Sequence, residues 1–173
     1  IASAFGIDVG SGGGLFEGEN ILELYRSRSM ITSALLSEGD FEEKRQLLID
    51  RYIDYNDLKK GWTKNPRLKN IRFKSDNQYS DSKAQLVHDS IIGQIVKRIT
   101  ISNLKVEKKD KKLNIIYVTV TSPDELFAKI FNEELVKKVN EFYLDTKTRK
   151  NLQNVIILQE KTDSVRGIMT GAI

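Results

Sequence analysis

Between Lys59 and Lys74 the chain places seven basic side chains and no acid: Lys59, Lys60, Lys64, Arg67, Lys69, Arg72 and Lys74. Charge clustered in this way can hold phosphate groups or polysaccharide carboxylates, and the interleaved Trp62 and Phe73 are side chains that a nucleic-acid or sugar surface uses. Asp50, Asp54, Asp57 and Asp76 flank the run, which favours an ordinary solvated surface over an anion site. His88, the sole histidine, is followed by Asp89. A catalytic triad needs a nucleophile beside such a pair, and no residue pattern supplies one, so a surface histidine is the expected outcome. The chain has no cysteine, which excludes disulfides, thiol catalysis and cysteine-ligated metal.

A glycine-rich opening offers a further chemistry. Ile1 to Asn20 holds six of the eleven glycines and reads as a short strand or loop followed by a flexible turn. Within it, Phe5-Gly6-Ile7-Asp8-Val9-Gly10-Ser11 resembles the first phosphate loop of the actin and sugar-kinase superfamily, where an aspartate and small residues surround nucleotide phosphates. In that superfamily a second strand follows directly, whereas here Gly12-Gly13-Gly14 leads toward a helix. The Gly-Lys-Ser/Thr of a P-loop and the spacing of a dinucleotide fingerprint are both absent. A glycine linker is therefore the favoured reading of Asp8 to Gly14, and a nucleotide site the alternative.

The elements that must position these residues follow from hydrophobic spacing. With 173 residues, 39% of them hydrophobic, and a net charge of +4, the chain can bury one core. A helix is expected from Asn20 to about Ser37, and a second from Asp40, with Glu43 as its capping partner, to about Gly61. A polar loop, Ser75 to Lys83, precedes a third helix through Leu86, Ile91, Ile92, Ile95, Val96 and Ile99. Two strands come next, Asn103 to Lys108 and Leu113 to Thr121. The second is apolar on both faces, as a covered central strand would be, and the first alternates like an edge. From Ser122 to about Thr170 runs one long helical pattern, with Ser122 as cap, Pro123 in the first turn and Glu125 completing a capping box. The fold class expected is α+β, a small mixed sheet covered by helices with a long C-terminal helix extending from the core. At ~1.5 Å per residue that helix reaches roughly 70 Å, about twice the diameter of a small domain. Its part beyond Lys150 therefore projects toward a neighbour, or else the helix breaks near Thr146 and folds back as a hairpin.

The segment LKVEKKDKKLNIIYVTVTSPDELFAKIFNEELVKKVNEFYLDTKTRK, Leu104 to Lys150, resembles the strand pair and following helix of the Wzz-type polysaccharide chain-length determinants, or polysaccharide co-polymerases. Ser122, Pro123, Asp124, Ala128, Asn132, Leu135, Tyr143, Lys147 and Arg149 carry the likeness. LFEGENILELYRSRSMITSALLSE, Leu15 to Glu38, resembles that family's first helix, and Leu47 to Tyr52 resembles versions found in Bacteroidetes. The resemblance implies a single periplasmic domain, residues 1–173, excised from between two transmembrane helices that are absent here. It implies assembly as a homo-oligomer on the bacterial inner membrane. The implied role is to set the length of a surface polysaccharide (O-antigen, lipopolysaccharide or capsule) together with the membrane polymerase and the growing polysaccharide, without making or breaking a bond.

On that reading the chain has no catalytic residue, no cofactor, no metal site and no nucleic-acid partner. Candidate contacts to other subunits or to the polymerase are Lys147, Arg149, Lys150, Val155, Leu158 and Arg166 on the far half of the long helix. The alternative reading is an anion- or nucleic-acid-binding module built on the basic run from Lys59 to Lys74. A third, a nucleotide-dependent enzyme, rests on Asp8 to Gly14. A chain that starts without methionine and ends inside a helical pattern reads as part of something longer.

Overall fold

A computed structural model describes residues 19–42, 44–62, 68, 71–110, 112, 113 and 115–171. The chain opens with α1 (Glu19–Arg26) and α2 (Arg28–Leu35), a hairpin of β1 (Glu38–Phe41) and β2 (Lys44–Leu47), then α3 (Leu48–Tyr55) and the short α4 (Leu58–Trp62). A loop leads to α5 (Ser82–Ser102), a second hairpin of β3 (Leu104–Glu107) and β4 (Tyr117–Val120), and α6 (Glu125–Gly171). The class is α+β with a long C-terminal helix. The sheet is not one mixed layer but two separate antiparallel hairpins, β1 on β2 and β3 on β4.

The core is built from residues of every helix except the short α4, whose Leu58 and Trp62 pack half-buried against it. Ile31, Leu35, Leu48, Ile49, Ile53, Ile92 and Ile99 lose essentially all contact with solvent. Into them α6 inserts Phe127, Phe131, Leu135 and Val139, spaced by four residues and 0–2% exposed. Residues four apart lie one above another on a helix, so these form a single ridge. Phe127 and Phe131 stack at 5.4 Å, and Tyr52 of α3 meets Phe127 at 5.5 Å.

The first helix is divided. Ser27 adopts an extended conformation (φ −64°, ψ 144°) and its hydroxyl accepts a hydrogen bond from the Met30 amide at 3.3 Å. It thus caps α2 where the apolar spacing alone suggests continuation. The expected second helix is displaced more: Asp40 lies in β1, the hairpin occupies 38–47, and helix begins at Leu48. Strand geometry puts Gly39 and Phe41 on the inner face while Glu38 and Asp40 stay outside, where Arg45 bridges to Glu38 at 2.8 Å. A Cβ on Gly39 would sit 3.0 Å from the Phe41 ring and 3.1 Å from Ile130 of α6. The hairpin's close approach to α6 outweighs the local helical preference of the intervening charged residues. Glu43 lies outside the described residues.

Of the two later strands, β3 alternates at an edge as expected, and β4 departs from expectation. In β3 Leu104 and Val106 are buried and Lys105 is exposed, whereas in β4 Tyr117 and Thr119 are exposed and Val118 and Val120 half-buried. Among the described residues β4 pairs only with β3, so it is not a covered central strand. The near half of α6 does lie against it, and Asn132 donates to the Val118 carbonyl.

The start of α6 also differs from expectation. Helix begins at Glu125 and Asp124 caps it, Oδ1 accepting from the Phe127 amide at 3.1 Å. Ser122 instead accepts from the Asp124 amide at 3.2 Å. Asp124 is favoured because its second carboxylate oxygen receives Arg51 Nε at 2.6 Å. The Arg51 guanidinium also lies 4.9 Å from the centre of the Phe41 ring. One buried carboxylate thereby fixes α3 and the root of α6 together.

Candidate functional surface

No break occurs at Thr146. α6 runs unbroken for 47 residues, which removes the hairpin alternative. Its last deeply buried side chain is Val139, 1% exposed. From there to Gly171 the axis extends about 48 Å at ~1.5 Å per residue. Side chains from Lys147 to Ile168 are exposed, apart from the half-buried Asn154.

The predicted contact residues divide by direction. At about 100° per residue, Lys147, Val155, Leu158 and Arg166 fall along one side of the helix, while Arg149 and Lys150 fall on the others. Lys147 donates to the Tyr143 hydroxyl at 3.0 Å, and that bond holds its ammonium above the usual lysine range. Arg149 pairs with Asp145 one turn back. Such i,i+4 pairs support an exposed helix by a few tenths of a kcal/mol. The polar level from Asp145 to Asn151 therefore helps to carry the helix away from the body.

Above it the surface changes. Val155, Ile156, Ile157 and Leu158 are four consecutive apolar residues, 41–57% exposed. Successive side chains at about 100° intervals point to every side of the helix, so they form a belt. Leu152 below and Val165 and Ile168 above, all more than half exposed, widen it. A helix that is apolar on all sides is normally surrounded. Ile156 and Ile157 belong to this surface but were not among the expected contacts. Ile156 follows the helical spacing from Leu152, and the signal that locates Ile157 is the uninterrupted apolar run, which breaks that period.

The other chemical candidates fare differently. Lys59 bridges to Asp54 and Lys60 to Asp57, each at 2.6 Å, and Lys74 lies over the Tyr79 ring. Phe73 is buried rather than facing solvent, and Trp62 is half-buried against the core. Lys64, Arg67 and Lys69 lie outside the described residues, as do Asp8 to Gly14.

His88 is not a surface residue. It is 8% exposed, stacked on Tyr79 at 3.6 Å and edge-on to Phe73, with Nδ1 2.7 Å from the Ala84 carbonyl and Nε2 3.0 Å from that of Arg72. It acts as a clamp between α5 and the preceding loop. Its neighbour Asp89 accepts from Asn77 at 3.0 Å and from Gln85 at 3.2 Å. Those hydrogen bonds hold its carboxyl below the usual range.

Among the described residues, no three side chains of His, Asp or Glu gather as a metal site, and no helix is long and apolar enough to cross a membrane. Comparison with protein-family models gives no match, and comparisons with curated proteins and with solved structures give none either.

Proposed function

We propose that this chain is a non-catalytic scaffold that sets the length of a surface polysaccharide, working as a homo-oligomer beside the inner-membrane polymerase. The resemblance of Leu104 to Lys150 to the Wzz-type chain-length determinants supplies the role. The observation that carries it is the apolar belt of Val155 to Leu158, which stands clear of its own subunit's core on every side. Burying it takes neighbours on more than one side, and a ring of identical subunits provides them. Lys147, Arg149, Lys150 and Arg166, above and below the belt, then fall where they meet adjacent subunits or the polymerase. Membrane helices flanking this domain would hold it on the periplasmic side, where it meets the growing polysaccharide.

Deleting the gene in its host and resolving the surface polysaccharide by electrophoresis tests this reading. A loss of the preferred chain length, restored by the full-length gene, is the expected result. An unchanged length distribution contradicts it. The competing reading, an anion- or nucleic-acid-binding module, is less well supported, because Lys59 and Lys60 are paired with acids and Phe73 is buried. It predicts nucleic-acid affinity that falls steeply with salt.

A further inference from the structure

The far end of the basic run enters a different setting from its start. Arg72 and Lys74, with Lys83 of α5, line a cavity of about 570 Å³ between the loop before α5 and the first two turns of that helix. Its remaining wall is largely aliphatic: Ile71, Ala84 and Val87 are half-buried, and Ile71 and Val87 pack on the core. A concave site of ~300–1,000 Å³ with apolar walls and a few charged groups is the usual form of a small-ligand site. The cavity is also built in advance. His88 lies 3.0 Å from the Arg72 carbonyl and stacks on Tyr79, the Tyr79 amide donates to Gln85 Oε1 at 3.2 Å, and Asn77 donates to Asp89 at 3.0 Å. These contacts tie the loop to α5 before any ligand arrives, so less ordering is left to oppose binding.

Charge and shape select the ligand. Arg72, Lys74 and Lys83 are exposed, hence accessible to an incoming group, and among the described residues none of them is in an ion pair, unlike Lys59 and Lys60. The acid of the lining, Asp81, commits its carboxylate oxygens to the Lys83 and Ala84 amides at 3.2 and 3.3 Å. Three cations against one acid attract an anion. A bare inorganic ion leaves the aliphatic wall uncovered. A nucleobase finds no free aromatic face, because His88 covers one side of the Tyr79 ring at 3.6 Å and the Lys74 ammonium lies over the ring at 5.4 Å. A sugar ring that bears a carboxylate meets both requirements, with an anion for Arg72 and Lys83 and a C–H face for Ile71 and Val87.

We infer that this cavity binds a uronic-acid residue of a saccharide chain, its carboxylate held by Arg72 and Lys83 and its apolar ring face set on Ile71 and Val87. That the chain is the growing polysaccharide rests on the function proposed above; the charge and shape of the cavity do not.

The test is a titration of the chain with trigalacturonate and with a hyaluronan tetrasaccharide, followed by the amide resonances of Ile71, Ala84 and Val87. Maltotriose supplies the ring without the charge, and inorganic phosphate the charge without the ring. At least one uronate oligomer should shift these resonances saturably, with an affinity that falls as sodium chloride is added, and maltotriose and phosphate should each bind about tenfold more weakly or less, ~1.4 kcal/mol. Arg72→Gln keeps the backbone carbonyl that His88 meets, so it should leave the melting temperature unchanged while weakening uronate binding about tenfold. Lys83→Gln should weaken it similarly, whereas Lys59→Gln, at an ion pair outside the cavity, should not. No saturable shift with either uronate, equal affinity for maltotriose or phosphate, wild-type affinity in Arg72→Gln or Lys83→Gln, or an equal loss in Lys59→Gln overturns the inference. None of these outcomes alters the gene-deletion result, so the cavity and the proposed function fail separately.

Discussion

Two halves of one helix teach most about this molecule. Near its start α6 presents Phe127, Phe131, Leu135 and Val139, none more than 2% exposed. Farther along it presents Leu152, Val155, Ile156, Ile157 and Leu158, none less than 41% exposed. Residue class and backbone are the same; the surroundings differ. The first set repeats every four residues and meets a core that is already one-sided. The second set encircles the axis, a pattern that no single packed face can bury. Most helical stability in proteins comes from packing, so within this chain the distal half depends on i,i+4 pairs such as Arg149–Asp145.

The contrast can be broken first at its buried end. Phe131→Ala should cost about 3–5 kcal/mol, seen as a lowered urea midpoint for the whole body. Asp124→Ala removes the cap of α6 and leaves Arg51 without its 2.6 Å partner. A loss of about 2–3 kcal/mol is expected, with increased hydrogen exchange at Phe127. Gly39→Ala should cost about 1–2 kcal/mol, because the added methyl meets the Phe41 ring and Ile130.

A smaller effect concerns pH. The folded-state value of Asp89 is depressed, so its contribution is present above the ordinary aspartate value of about 3.9 and is lost as pH falls through the lower folded value. Exchange protection around Asn77 and Tyr79 should therefore decline below about pH 4, ahead of the core. At the exposed end, Ile157→Asp should change the stability of an isolated subunit by no more than about 0.5 kcal/mol, while abolishing self-association in sedimentation.

Periodicity reveals the near half of α6 and α5 because their apolar residues are spaced for one buried face. It fails at 38–47 for a tertiary reason. Asp40 to Leu47 carries charged residues and a leucine that suit a helix, yet it folds as a hairpin in which Gly39 closely approaches Ile130 of α6. Ser27 and Asp124 show the same limit on a smaller scale: each caps through its own side chain, and Asp124 is selected over Ser122 by Arg51, 73 residues away. The apolar faces of β4 suggest a covering that the described residues do not provide. Of the distal surface, Val155, Ile156 and Leu158 are legible from spacing, whereas Ile157 emerges only once the helix is known to continue unbroken.

The central claim is that the belt at Val155 to Leu158 is covered by other copies of this chain. This sequence has no cysteine, so Ile157→Cys introduces a single thiol into it, and mild oxidation of the full-length protein in its host cells reports what lies beside that position. Rapid disulfide-linked dimers from Ile157→Cys, with none from a control thiol placed at exposed Lys129 on the subunit body, is the predicted result. Ile157→Cys that stays monomeric and freely reactive toward a water-soluble maleimide would contradict the account.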